Sequence, residues 1–284
     1  MKIRIGFIGF GEVASVFSRP LLDHGAEVCA FDIREDKVRA AGVEFLPPPE
    51  LAARADYVLS TVTTQAAVCV AREHVPHLRS GQVYVDLNST SPAVKRRIAG
   101  AVEQSPAVFV EGAILGAVGA SGAATPVLTG GTGGREAAAV LTRLGLRVSF
   151  YSDEIGKAST FKMLRGIFSK GLEALILELL IAGEHAGIRG DLWKDVSEFM
   201  TRNPFDKVAA NWTTSHAVAF ERRYFEMMQV TATMRELGVD PLMTRATESF
   251  FERSRLLGLA GEFDRRPESM DSVVEFMERK LTGR

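Results

Sequence analysis

Short, continuously apolar runs alternate with helical patterns over the first half of the chain. Ile3–Ile8, Glu27–Phe31, Tyr57–Thr61, Val83–Leu87, Val108–Val110 and Pro126–Thr129 read as strands. Between them, Val13–His24, Arg34–Ala41, Ala66–His74 and Pro92–Gln104 carry the apolar spacing of helices. Strands covered by helices on both faces are apolar throughout, so the alternation predicts an α/β domain with a doubly wound parallel sheet of Rossmann type. Ser91 before Pro92 marks a helix start, a capping side chain followed by a residue without an amide donor. From about Glu154 the strand pattern stops. A long amphipathic stretch runs from Ala158 to about Ala186, closed by Gly187 and Gly190. Leu192–Thr201, Phe220–Leu237, Leu242–Leu257 and Met270–Leu281 follow as helices. The pattern therefore predicts an α/β domain over 1–153 and an all-helical domain over 154–284, joined through the long helix.

The first turn carries chemistry. Gly9-Phe10-Gly11-Glu12-Val13-Ala14 is G-x-G-x-x-A, set directly after a strand and opening into a helix. Gly9 suits a tight turn, Gly11 lets a pyrophosphate approach the backbone, and Ala14 allows close helix–strand packing. The amides at the helix start then face the phosphates. Asp32 closes the second strand, where a carboxylate accepts from both ribose hydroxyls of NAD and repels the 2′-phosphate of NADP. Arg34 and Lys37 follow it and keep NADP open as the alternative. Gly130–Gly134 is also glycine-rich and reads as a turn.

Composition bounds the rest. The 284 residues are 46% hydrophobic and 24% charged, enough apolar content for a full core. A net charge of −1 speaks against broad attraction to nucleic acid or a membrane surface. Met1-Lys2-Ile3-Arg4 looks like the start of a leader, but Gly9, Gly11 and Glu12 interrupt the apolar stretch behind it. The run from Leu172 to Ala182 contains Glu173 and Glu178 and is too short to span a bilayer. Cys29 and Cys69 have no metal-type spacing; no metal site is expected, and both read as buried free thiols of a cytoplasmic protein.

Gly6–Gly11, Asp86–Pro92 and Gly156–Lys162 together resemble segments of the β-hydroxyacid dehydrogenase and 6-phosphogluconate dehydrogenase superfamily. Gly6-Phe7-Ile8-Gly9-Phe10-Gly11 looks like its opening G-x-I-G-x-G. Asp86-Leu87-Asn88-Ser89-Thr90-Ser91-Pro92 is similar to D-x-S-T-x-x-P, with Asn88-Ser89 nearer the phosphogluconate enzymes. Gly156 to Lys162 looks like G-x-G-x-x-x-K leading into the interdomain helix. The resemblance implies a nicotinamide cofactor, a homodimer, and Lys162 as general acid/base on the hydroxyl or carbonyl interconverted. A lysine serves there when burial or nearby cations lower its pKa. Thr61-Val62-Thr63 and Asn88 then lie at strand ends beside the cofactor, and Ser89 near the substrate.

The chain departs from that pattern at the substrate. Leu115-Gly116-Ala117 stands where the family has S-G-G, and Gly166 where it has an asparagine. Ser169 stands where the decarboxylating members have a glutamate. Phosphogluconate decarboxylation is therefore not expected, and the chain looks like a divergent branch with its own C-terminal helical domain. Lys162, Arg165 and Ser169 fall at i, i+3 and i+7 on one helix, with Gly166 on the same face. Arg165 is the candidate anchor for an anionic substrate, and Gly166 leaves room for it. Lys170 is a further nearby cation. His216, Arg222 and Arg223 form a second polar cluster that either completes an anion pocket or is simply a solvated helix start. Expected is a dehydrogenase or reductase of a small anionic hydroxy or oxo acid. Imine reduction and a non-catalytic NAD(P)-binding sensor are the alternatives.

Overall fold

Successive residues of a strand point to opposite faces of the sheet, and the first strand sorts its apolar residues accordingly. In β1 (Arg4–Ile8), Ile5 and Phe7 enter one core and Ile8 the other, and all three are buried. The computed structural model describes residues 2–283, apart from the side chain of Ala40. Met1, with which the leader-like stretch begins, and Arg284, the end of the helical half, lie outside the described residues.

The sheet has eight strands. After β1 come β2 (Glu27–Phe31), β3 (Glu44–Phe45), β4 (Tyr57–Ser60), β5 (Val83–Asp86), β6 (Val108–Ile114), β7 (Val127–Gly130) and β8 (Val148–Ser152). Their spatial order is β3-β2-β1-β4-β5-β6-β7-β8. The pairs from β3 through β6 are parallel, β7 runs antiparallel to β6, and β8 is parallel to β7. The strand order reverses between β1 and β4, the place where open α/β sheets bind ligands at their carboxyl ends. Helices α1 (Glu12–Asp23), α2 (Glu35–Ala40), α3 (Pro48–Arg54), α4 (Ala67–His74), α5 (Pro92–Val102), α6 (Val118–Ser121) and α7 (Gly134–Arg143) connect the strands. One core gathers Phe7, Phe17, Leu59 and Leu141, and the other gathers Ile8, Leu51, Val58, Tyr84 and Ile98. Gly6 lets α3 close on the sheet: a Cβ there would lie 2.7 Å from Leu51 Cδ2.

The remaining helices are α8 (Lys157–His185), α9 (Arg189–Arg202), α10 (Phe205–Glu236), α11 (Leu242–Leu256), α12 (Leu259–Glu262) and α13 (Met270–Thr282). The chain divides into two compact units, Met1–Ile167 and Phe168–Arg284. The first turns of α8 thus belong with the sheet. Inside the helical unit, the carboxylate of Glu178 accepts from the amides of Met243 (2.7 Å) and Thr244 (2.8 Å), capping α11. Phe220, Leu259 and Phe276 form its small buried cluster.

The structure adds elements to those the pattern predicts, each for a local reason. β3 has only two residues and β8 alternates buried and exposed positions, so neither shows a continuous apolar run. β6 continues past Val110 through Glu111 and Gly112 to Ile114. α10 begins at Phe205 rather than Phe220; the hydroxyls that read as a loop bond back along the helix instead, Thr214 Oγ1 donating to Ala210 O (2.7 Å) and Ser215 Oγ to Asn211 O (2.6 Å). Cys29 is buried, but Cys69 is exposed on α4 beside Glu73, which corrects the expectation of two buried thiols. No helix among the described residues is long and apolar enough to cross a membrane.

A buried ion pair closes the carboxyl edge of the sheet. Lys95 on α5 and Asp86 at the end of β5 are 1% and 0% exposed. The three ammonium protons go to Asp86 Oδ2 (2.7 Å), Asp86 O (2.7 Å) and Gly112 O (2.9 Å), so every donor is satisfied. Removing one partner of such a pair strands a buried charge, whereas removing both does not. Lys95→Met should therefore cost about 3–5 kcal/mol in urea denaturation. The Lys95→Met/Asp86→Leu double variant should recover much of that loss.

Candidate active site

The glycine turn is built by contacts that cross from one strand to the next. Gly9 adopts φ +85°, donates its N–H to Phe31 O (2.8 Å), and leaves no room for a Cβ, which would sit 2.8 Å from Thr61 O. Thr61 Oγ1 donates to Gly9 O (2.7 Å), and Val62 packs against the same glycine. The amide of Phe10 donates to Asp32 Oδ2 (2.6 Å), and the amide of Arg34 donates to Asp32 Oδ1 (2.8 Å). The Phe10 ring itself is in the core against Phe7, so only its backbone reaches the turn.

Gly11 is the counterpart. A Cβ there would meet no protein atom within 4 Å, and no side chain caps the start of α1 that follows it. The amides opening α1 are thus offered to a ligand rather than spent on the protein, an arrangement that suits a pyrophosphate. Glu12 is exposed and lies against Gly119, while Val13 is half-buried against the core. Thr63 is exposed, and its carbonyl accepts from the amide of Ala66 (3.1 Å). Arg34 is exposed and pairs with Asp36 (3.1 Å). Ile33, unmarked in the sequence reading, is 94% exposed directly after Asp32.

Within the same unit, α8 delivers Lys162 to the end of β5. Its ammonium donates to Ser89 Oγ at 2.6 Å. Burial first, and the charge of Lys95 second, push the Lys162 pKa down to about 8. Ser89 is exposed, and its carbonyl accepts from Thr64 Oγ1 (3.2 Å). Asn88 beside it is buried: Nδ2 donates to Ser60 Oγ (2.9 Å) and to Asp86 Oδ1, and its own Oδ1 has no partner. Arg165, one turn beyond Lys162, donates from Nη1 to Leu115 O (2.9 Å). Gly116 follows on the exposed loop after β6, and a Cβ at Gly166 would touch nothing within 4 Å. Lys162, Ser89, Arg165 and Leu115 are thereby connected in pairs, which their separation along the chain conceals.

The remaining predicted residues belong to the helical unit. Ser169 is exposed on α8, as is Lys170, which pairs with Glu173 (3.6 Å). His216 is buried among Phe220, Phe250 and Phe251, with Nε2 2.9 Å from Ser254 Oγ, and burial lowers its pKa to about 4. It is neutral at pH 7 and brings no positive charge to an anion. Arg222 is exposed and paired with Glu226, and Arg223 donates to Ser215 Oγ (2.7 Å). The cluster is therefore not a solvated helix start: it lies within α10, with His216 in the aromatic core and Arg222 in solvent.

Comparison with known proteins adds to this geometry. A model of the NAD-binding domain of 6-phosphogluconate dehydrogenase matches residues 4–151, and a domain of unknown function matches residues 184–254. The 2-(hydroxymethyl)glutarate dehydrogenase of Eubacterium barkeri is 23% identical, covering 99% of this chain and 97% of its own. The solved structure of a conserved hypothetical protein from Sinorhizobium meliloti 1021 is 30% identical with a TM-score of 0.61, covering 99% of this chain and 97% of its own. A variant imine reductase from Myxococcus stipitatus, solved in complex with NAD+, reaches a TM-score of 0.81 at 17% identity, a likeness of fold alone. It covers 98% of this chain and 100% of its own.

The two glycines of the turn should separate folding from binding. Gly9→Ala meets backbone at positive φ and should destabilise the chain by roughly 1 kcal/mol or more, read as a lower Tm. Gly11→Ala meets no protein atom and should leave Tm unchanged while weakening the titration by NADH.

Proposed function

The chain belongs to the family built on the NAD-binding domain of 6-phosphogluconate dehydrogenase, and from that premise we propose a dehydrogenase or reductase of a small anionic hydroxy or oxo acid, with Lys162 as general acid/base. The observation that carries this reading is the 2.6 Å bond from Lys162 Nζ to Ser89 Oγ, made by an amine whose pKa is lowered to about 8. A proton carrier works best when its pKa lies near the working pH.

The bound nicotinamide supplies or accepts the hydride; the chain positions it and handles the proton. Gly11 and the opening amides of α1 would hold the pyrophosphate, Gly9 shapes the turn, and Thr61 fixes it against β4. Asp32, its oxygens already tied to the amides of Phe10 and Arg34, presents its remaining lone pairs to the ribose hydroxyls and repels a phosphate there. NAD is accordingly the proposed cofactor over NADP. The exposed face of Ile33 offers the adenine an apolar platform.

When an alcohol is oxidised, the neutral Lys162 amine takes the hydroxyl proton; when a carbonyl is reduced, the ammonium returns it. Ser89 holds Nζ in place. Arg165 spends one N–H on Leu115 O and retains others for a carboxylate. The backbone at Gly116 and the space above Gly166 complete the substrate side. Imine reduction is the second reading, favoured by Leu115 where the resemblance places a serine that grips a carboxylate. Apolar side chains left exposed on the helical unit, among them Phe168, Leu177, Ile181 and Trp193, support a homodimer.

Lys162→Ala should lower turnover by about 10²–10⁴-fold while NADH binding persists. In the wild type, kcat/KM for oxidation should rise about tenfold per pH unit and level off above a midpoint near 8, where the amine is neutral. Reduction should run the other way, falling above that midpoint as the ammonium is lost. A pH-independent rate in either direction would remove Lys162 from the proton transfer. Asp32→Ser should narrow the preference for NADH over NADPH, measured as the ratio of the two Kd values.

A further inference from the structure

Glu111 is fully buried on β6, level with Asp86 of β5 and opposite Gly130 of β7. Burying a carboxylate is costly unless its lone pairs are filled. Asp86, beside it, has Lys95 for this. The bonds that Glu111 makes are of another kind: Oε2 accepts from the amide of Gly156 (2.5 Å) and Oε1 from the amide of Ser159 (2.6 Å). Ser159 lies in the opening turn of α8 and Gly156 directly before it, where unpaired N–H groups and partial positive charge accumulate.

The surroundings are shaped to this contact. A Cβ at Gly130 would stand 3.0 Å from Glu111 Oε2, so a glycine there leaves the carboxylate its space. Gly156 takes φ +103°, which brings its amide to the carboxylate, and a Cβ there would run into Arg96. Three residues past Ser159 comes Lys162, and three further comes Arg165, whose guanidinium bonds to the carbonyl of Leu115 just beyond β6. The stretch from Gly156 to Arg165 is therefore held against β6 and its exit loop at both ends, with Lys162 between the two anchors. Near one turn of helix separates Lys162 from each, so a shift of either anchor moves Nζ relative to Ser89.

We propose that Glu111 is a positioning residue for Lys162. Its carboxylate fixes the direction and register of the first turns of α8 and so sets where the lysine amine lies and how far it is shielded from water. Glu111 touches no reacting atom. The inference rests on the reading of Lys162 as acid/base. The charge that acts on the Lys162 amine is that of Lys95 on α5, which is paired with Asp86.

Glu111→Gln tests it. The amide keeps one acceptor and turns an NH2 group towards an N–H, releasing one side of the turn. The variant should bind NADH as the wild type does, with kcat reduced by roughly ten- to a hundredfold and KM changed less. The midpoint of its pH–rate profile should rise from about 8 towards that of an ordinary lysine as the amine becomes more hydrated. The titration of Lys162 itself, followed by NMR on 13C-methylated lysines and assigned with Lys162→Arg, should rise by the same amount without any need for turnover. A folded Glu111→Gln protein with unchanged kcat and an unchanged Lys162 titration would overturn the proposal. Should that variant fail to fold, Glu111→Asp takes its place: it keeps the charge, ends one methylene short, and carries the same expectations. If Lys162→Ala retained turnover, the acid/base reading would fall, yet the NMR titration would still report whether Glu111 positions that lysine.

Discussion

A helix begins with amide groups that have no partner in the helix, and those groups must find an acceptor. In the sheet unit of this protein two helices, α1 and α8, answer that need in opposite ways. α8 receives its acceptor from the protein, the buried carboxylate of Glu111. α1 receives none from any side chain, and Gly11 leaves the space before it clear. In the proposed reading, one helix start is closed to fix a lysine, and the other is left open to take a diphosphate. The proposed division of labour between proton transfer and cofactor binding follows from that difference.

The second constraint is charge kept out of water at the same edge. Asp86, Lys95 and Asn88 form a buried set in which the ion pair fixes the end of β5 and the start of α5, and Asn88 Nδ2 closes on Asp86 and Ser60. Ser89, the next residue, is thereby presented outward to meet Lys162. Lys95 also acts through space: its charge adds to burial in holding the Lys162 amine below the ordinary lysine range. In the proposed account, placement and proton affinity of one amine draw on residues from β5, α5 and β6.

What the sequence discloses of this arrangement depends on how locally each part is specified. The glycine turn, Asp32 and the alternation of strands and helices are all short-range patterns, and the structure carries them. Lys162 was found by resemblance, since nothing adjacent to it marks it out. Glu111 and Lys95 are not legible in the sequence because each is satisfied by partners distant in the chain; a lone acid in an apolar run reads as the end of a strand, whereas β6 runs on to Ile114. The first half of α10 stayed hidden because its hydroxyl-bearing residues read as a loop until they are seen bonding back to their own helix. His216 reads as part of a polar cluster because two of the three aromatic rings that enclose it, Phe250 and Phe251, lie elsewhere in the sequence.

The open start of α1 is the premise on which the redox reading stands, and it is most directly tested by calorimetric titration of the wild-type chain with NADH. The account predicts a saturable signal with one site per chain, displaced by NAD+. Heats no larger than dilution, up to concentrations far above those at which dehydrogenases bind this nucleotide, would contradict it.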